Sequence, residues 1–178
     1  MALLKPLVAK NRRPTQHNPT IDVLAGAGKI IQVVTASIST EASTTSKIPA
    51  DDTIPQNTEG AEFTTLSITP INPNSDILVE FNTWGGANAS TLWIMSLFKD
   101  STADAVCAVI TEDNGKASDH QMLRFVDPAV GSSAITYKIR FGPVANSRTI
   151  FLLRTSATDL FGTAKKAVFS LFEVAPLS

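Results

Sequence analysis

The sequence predicts an all-β protein, an antiparallel β-sandwich of jelly-roll type with an extended N-terminal arm. Three observations predict it. Short runs of β-branched and aromatic residues recur along residues 29–178, with turn-forming residues between them. One run alternates cleanly, with Ile135, Tyr137, Ile139 and Phe141 on one face of Ala134–Phe141. No amphipathic helix pattern stands out beyond a turn near Ala157–Phe161.

Residues 1–28 differ from the rest and read as the arm. Lys5, Lys10, Arg12 and Arg13 are basic against the single acid Asp22. Pro6, Pro14 and Pro19 break any helix and favour extended backbone. The arm ends at Ala25-Gly26-Ala27-Gly28, and its apolar Leu3, Leu4, Leu7 and Val8 are what a partner groove could bury. Leu3, Leu4, Leu7, Val8, Arg12 and Arg13 are therefore the residues expected to dock on a neighbouring subunit.

The sandwich domain is expected over 29–178 with about eight strands. Lys29–Ser39 carries Ile30, Ile31, Val33, Val34 and Ile38. Residues 40–61 read as a long polar loop, a length that marks a loop as functional or packed on a neighbour. Phe63, Leu66 and Ile68 lead to Pro70, and Asn72-Pro73-Asn74-Ser75 supplies turn chemistry before a strand over Asp76–Thr83. Gly85-Gly86 is read as the end of that strand. In Ser90–Phe98, Trp93, Met95 and Leu97 face one way, and Leu92, Ile94 and Phe98 lie off that face. A turn at Lys99-Asp100 leads to Ala105–Thr111, and Asp113-Asn114-Gly115 is a tight-turn signal. Residues 121–126, Ala134–Phe141, Thr149–Thr155 and Ala167–Val174 complete the set. The continuous run Ile150-Phe151-Leu152-Leu153 reads as a strand buried on both faces, as packing in an oligomer would produce.

Composition bounds the function. The 178 residues suffice for one domain with a substantial core. Charged residues make up 17% against a typical figure of about a quarter, and 43% are hydrophobic, which suits an assembly-prone β protein and not a disordered one. The net charge of −1 gives no drive toward nucleic acid or anionic membrane. The opening Met1–Val8 is too short an apolar stretch for a signal peptide, and no segment approaches the roughly 20 apolar residues of a membrane span.

No motif for catalysis, cofactor or metal is found. Cys107 stands alone within Ala105–Ile110, which excludes a disulfide framework and reads as a small buried hydrophobe. Gly26-Ala27-Gly28-Lys29 lacks the upstream Gly, the following Ser or Thr and the helix that a phosphate-binding loop needs. His17 and His120 stand in no nucleophile context. Asp51-Asp52, Glu112-Asp113 and Asp119 read as solvated turn acids, and no alternating calcium-loop pattern is present. Lys10, Arg12 and Arg13 lack interleaved aromatics, so an acidic protein surface is a better partner than nucleic acid. Trp84 and Trp93 bracket Gly85-Gly86; aromatic residues near loops serve as core or interface anchors or bind sugars.

Residues 28–174 resemble a β-domain common in bacteriophage and metagenomic virion proteins. The matching phrases are Gly28-Lys29-Ile30-Ile31-Gln32-Val33-Val34, Leu66-Ser67-Ile68-Thr69-Pro70, Thr136-Tyr137-Lys138-Ile139-Arg140 and Phe169-Ser170-Leu171-Phe172-Glu173-Val174, in that order. The resemblance implies a β-sandwich, a homotrimer and no catalysis. Longer members place a shaft or other domains before the β-domain, where this chain has its 28-residue arm. The expected function is therefore a structural virion protein, a capsid decoration (cement) protein attached through the arm to the major capsid protein or another virion protein. It would be assembled in the host cytoplasm, with no nucleic-acid or membrane partner. The alternative is a short tail fibre or spike binding a host-surface glycan near Trp84 and Asn88.

Overall fold

The computed structural model describes residues 28–114, 119–128, 130–155 and 158–176, and the expected arm falls outside them but for Gly28. Among the described residues there are ten strands: β1 (Ile30–Ile38), β2 (Ala42–Thr44), β3 (Ala61–Ile68), β4 (Asp76–Ala87), β5 (Thr91–Lys99), β6 (Cys107–Asp113), β7 (Asp119–Asp127), β8 (Ile135–Pro143), β9 (Ile150–Leu152) and β10 (Ala167–Val174). Among the described residues the only helical element is a 3-10 turn, Gly162–Ala164, just beyond the turn expected at Ala157–Phe161.

All pairings are antiparallel and form two sheets. One sheet runs β1-β10-β4-β7, with the short β2 and β9 continuing the places of β1 and β10 at one end; the other runs β3-β8-β5-β6. Taking β1 with β2, and β9 with β10, as single positions leaves eight. The sheets then read 1-8-3-6 and 2-7-4-5, the order of a jelly roll.

Alternation builds the core. Ile77, Val79 and Phe81 of β4 and Phe169 and Leu171 of β10 point inward from one sheet. Trp93, Met95 and Leu97 of β5 and Tyr137, Ile139 and Phe141 of β8 meet them from the other. Phe63 packs edge-on to both Phe81 and Phe141, with ring centroids 6.0 Å apart in each pair, and so ties the two layers together.

The strand over Asp76–Thr83 continues through Gly85-Gly86 to Ala87. The glycines do not end it. A Cβ on Gly85 would lie 2.3 Å from the Phe151 carbonyl, so glycine is what lets β9 pass alongside. Only Ile150–Leu152 of the expected Thr149–Thr155 strand is extended. Leu153 turns out of it with φ 60°, which is why Leu152 and Leu153 are both buried without a partner subunit.

The polar stretch 40–61 is not a free loop and does not wait for a neighbour. Beyond β2, residues 46–60 cross the outer face of the β3-β8-β5-β6 sheet as a strap. Ile48 N donates to Pro143 O at 3.0 Å, and Gly60 N donates to Lys47 O at 2.9 Å. Arg140 holds the return, its Nε donating to Glu59 O at 2.7 Å and its Nη2 to Gly60 O at 2.9 Å. Farther along, Gln56 Nε2 donates to Asp104 Oδ1 and Asn57 N to Ala103 O. Ile94 and Phe98, the residues off the core face of β5, are accordingly buried. The strap lies so close that a Cβ on Gly142 would sit 2.2 Å from Ser46 O.

Buried polar groups are gathered at one end of the sandwich. Tyr137 Oη donates to Asp127 Oδ2 at 2.6 Å, and Lys99 Nζ meets the same oxygen at 2.7 Å. Burial first, and then the bond to Asp127, push the phenol well above its ordinary pKa. In the same cross-strand row, on the other side of Ile77, the buried Glu173 carboxylate accepts Ile71 N and Asn72 N, all at 2.9 Å.

Two stability outcomes follow from this packing. Tyr137→Phe should cost about 2 kcal/mol in urea unfolding, the value of a buried hydrogen bond to a charged group. Gly142→Ala should cost about 1–3 kcal/mol through overpacking. It should also speed amide exchange at Gly60, whose N–H closes the strap.

Candidate binding face

The two outer faces of the sandwich are treated differently. The strap covers much of one. The outer face of the β1-β10-β4-β7 sheet is bare among the described residues, and strand register lays its side chains out in rows. Val33, Phe172, Leu78 and Val126 stand directly opposite one another across all four strands. Val33 and Val126, the outermost of the row, are both 53% exposed. The next row is Thr35, Ser170, Glu80 and Arg124. It satisfies itself: Thr35 Oγ1 and Ser170 Oγ are 3.1 Å apart, and Arg124 Nε meets Glu80 Oε1 at 3.0 Å. The third row is Ser37, Val168, Asn82 and Met122, with Val168 and Met122 exposed. An apolar surface whose charges are already paired can be covered without stranding a buried ion.

Beyond the third row, Trp84 stands opposite His120. Here the chain does something the strand pattern does not require. Leu152 pairs Gly85 and Val168 pairs Asn82, so β9 and β10 lie in line along one edge of β4. The chain departs between them, and residues 153–155 and 158–166 of this excursion are described. Lys165, itself buried, ion-pairs with both Glu41 and Asp159, and Arg154 Nη1 reaches Glu41 Oε2 at 3.4 Å. The Arg154 guanidinium also lies 5.3 Å over the Phe151 ring. This ionic clasp holds the excursion against the sheet.

The excursion carries Phe161 to Trp84. The rings meet edge to face, 6.2 Å apart at 73°. Trp84, His120, Thr155, Leu160 and Phe161 then line an open cavity of about 420 Å3. The Thr155 hydroxyl is engaged within its own turn, donating to Thr158 O and accepting from Thr158 N at 3.0 Å each. Among the described residues no Lys, Arg, Asp or Glu lines the cavity.

The structure sorts the residues singled out from the sequence. Trp84 is half-buried and walls the cavity, whereas Trp93 is a core residue. Asn88 does not join Trp84: its Oδ1 accepts Thr149 N at 3.0 Å, and it staples two loops at the end of the sandwich. Leu3, Leu4, Leu7, Val8, Arg12, Arg13 and His17 lie outside the described residues, as does Gly115 of the expected turn. Cys107 is half-buried rather than buried, and partial burial raises its thiol pKa, the opposite of a nucleophile's requirement. It borders a cavity of about 350 Å3 beneath the strap with Ile54, Pro55 and Val106. Asp119 is held above the ordinary carboxylate range, by burial first and the Asp113 charge second. Among the described residues no group of three or more His, Cys, Asp or Glu is placed to hold a metal ion, and no helix is long and apolar enough to cross a membrane. Phe161 and Leu160 had no signal in the sequence beyond the turn in which they sit.

No family model matches the chain, and no curated protein does. Neither comparison supplies the bacteriophage family that the sequence phrases resemble. Solved structures similar to it include viral-particle and carbohydrate-binding proteins. Dimeric latent PorU from Porphyromonas gingivalis is 10% identical with a TM-score of 0.41, over 85% of this chain and 14% of that one. The Gx strain of infectious bursal disease virus is 8% identical with a TM-score of 0.40, over 83% of this chain and 37% of that one. The CBM22-1 xylan-binding domain of Paenibacillus barcinonensis Xyn10C is 11% identical with a TM-score of 0.33, over 87% of this chain and all of that one. The chain thus spans well under two thirds of the first two proteins. Likenesses this distant carry no argument about function.

The clasp gives a pH dependence. The bonds from Lys165 and Glu41 hold Asp159 below its ordinary value of 3.8, so its contribution is present above that value and lost as pH falls through the lowered one. Asp159 and Glu41 hold Lys165 above 10.5, so its contribution is present below that value and lost as pH rises through the raised one. Tryptophan emission should be flat between those limits. It should change reversibly beyond either, before global unfolding, as Phe161 leaves Trp84.

Proposed function

We propose that this chain is a structural protein of a bacteriophage virion: a capsid decoration (cement) protein, homotrimeric, attached through its N-terminal arm. The observation that carries the reading is the bare, self-neutral apolar face of the β1-β10-β4-β7 sheet. A face of this kind serves association better than solubility.

Charge supports the role given to the arm. Residues 1–27 hold four of the 15 Lys and Arg and one of the 16 Asp and Glu. The remainder therefore has 11 basic against 15 acidic side chains, a segment of +3 attached to a body of −4. Such a segment favours acidic protein surfaces, its own subunits' or a coat's. It enters the sandwich at Gly28, whose N donates to Ala175 O at 3.2 Å, beside the bare face. Leu3, Leu4, Leu7 and Val8 are the apolar anchors of this reading, and Arg12 and Arg13 its charged ones. No catalysis, cofactor or membrane contact forms part of it.

A second reading, a short tail fibre or spike that binds a host-surface glycan, is favoured by one observation, the aromatic cavity at Trp84. The test of the first reading is deletion of residues 2–24. The truncated protein should remain a folded oligomer by sedimentation and lose binding to particles stripped of it. Undiminished particle binding would contradict attachment through the arm.

A further inference from the structure

We infer that the corner formed by Trp84, His120 and Phe161 is a binding site for a neutral pyranose unit. The inference deepens the glycan-binding reading and does not depend on where in a particle the protein sits. The first argument is the backbone of Phe161. It adopts φ 64°, the left-handed region that bulky residues avoid, and Gly162 after it has φ 52°. Its side chain is nonetheless 72% exposed. A strained backbone that presents an aromatic ring to water is a cost to the fold, and among the described residues its one ring contact is a T-shaped one with Trp84. The ionic clasp keeps that arrangement in place. Strain held at an exposed aromatic points to something that binds there.

The chemistry of the corner selects the class of ligand. Trp84 is half-buried and lines the corner, and the Phe161 ring stands at 73° to it. A pyranose has the matching split: C–H bonds on one face, which rest on an indole, and hydroxyls around its rim. His120 is exposed and directly opposite Trp84 on the neighbouring strand, at the distance of a cross-strand pair. Its imidazole can donate to or accept from a rim hydroxyl. Among the described residues the lining holds no Lys, Arg, Asp or Glu, which favours a neutral sugar over an anionic one. The volume of about 420 Å3 suits one or two sugar units with their water.

The test uses the full chain and intrinsic fluorescence. Trp93 is fully buried, so a ligand that changes emission reports through Trp84. The probes are methyl pyranosides of glucose, galactose and mannose and a linear tetrasaccharide of each, with sialyllactose as the charged control. The expected result is a saturable change with at least one neutral probe and none with sialyllactose. Phe161→Gly should weaken that binding at least tenfold while raising the unfolding midpoint, because glycine accepts the left-handed conformation. His120→Ala should weaken it with the fold unchanged. No saturable signal from any neutral probe, or a signal only from an apolar peptide, would overturn the inference. Calorimetric sugar binding that survives Phe161→Gly would overturn this site while leaving the glycan-binding reading standing.

Discussion

A sandwich has one interior and two outer faces, and among the described residues only one of the two is covered by the chain itself. The covering depends on close approach at Gly142 and Gly60, where the strap meets the sheet. A Cβ on Gly60 would come within 2.6 Å of Phe141 O, and φ of +61° there already calls for glycine. With the strap seated, Ile48, Ile94 and Phe98 are removed from water outside the main core. The β3-β8-β5-β6 sheet is then packed on both sides. Among the described residues the wide uncovered surface is therefore that of the opposite sheet. There, one apolar row and one half-apolar row flank a row whose charges are paired at home.

The arm-side end of that sheet is fixed by one buried carboxylate. Glu173 on β10 receives the backbone N–H groups of Ile71 and Asn72 from the turn that joins the sheets. With its amide nitrogen facing inward, Gln32 of β1 also reaches Glu173 Oε2 at 2.9 Å and Thr69 O at 3.1 Å. Three of the four phrases on which the family resemblance rests thus meet at one side chain. The fourth, on β8, pairs with β3 beside them. Those phrases stay together in sequence order because they build one end of the jelly roll. That is a reason of folding, and it would hold for a protein of any function.

Much of the fold was legible because alternation is a local signal. Ile135, Tyr137, Ile139 and Phe141 read as one face and are one face; Trp93, Met95 and Leu97 likewise. What stayed hidden was set by contacts distant in sequence. Gly85-Gly86 looked like a strand end, yet Gly85 marks the close pass of Phe151, which lies in a different part of the chain. Residues 46–60 looked like a loop because their partners, Pro143, Arg140 and Asp104, follow much later. Half of the candidate site was visible in Trp84. The other half, Phe161, arrives by an excursion that splits one strand position in two, and no periodicity encodes that. Asn88 had the right chemistry for a ligand and is occupied by a neighbouring backbone instead.

The central claim is that the bare face of the β1-β10-β4-β7 sheet is covered in the assembled protein. Oxidative footprinting tests it most directly, because each face of the question has a methionine. Met122 is 48% exposed on that sheet and Met95 is fully buried. Labelled at high concentration in the assembled state, Met122 should be protected nearly to the level of Met95, and it should become reactive on dilution to the monomer. Equal reactivity of Met122 at all concentrations, in a preparation that sedimentation shows to be oligomeric, would contradict the account.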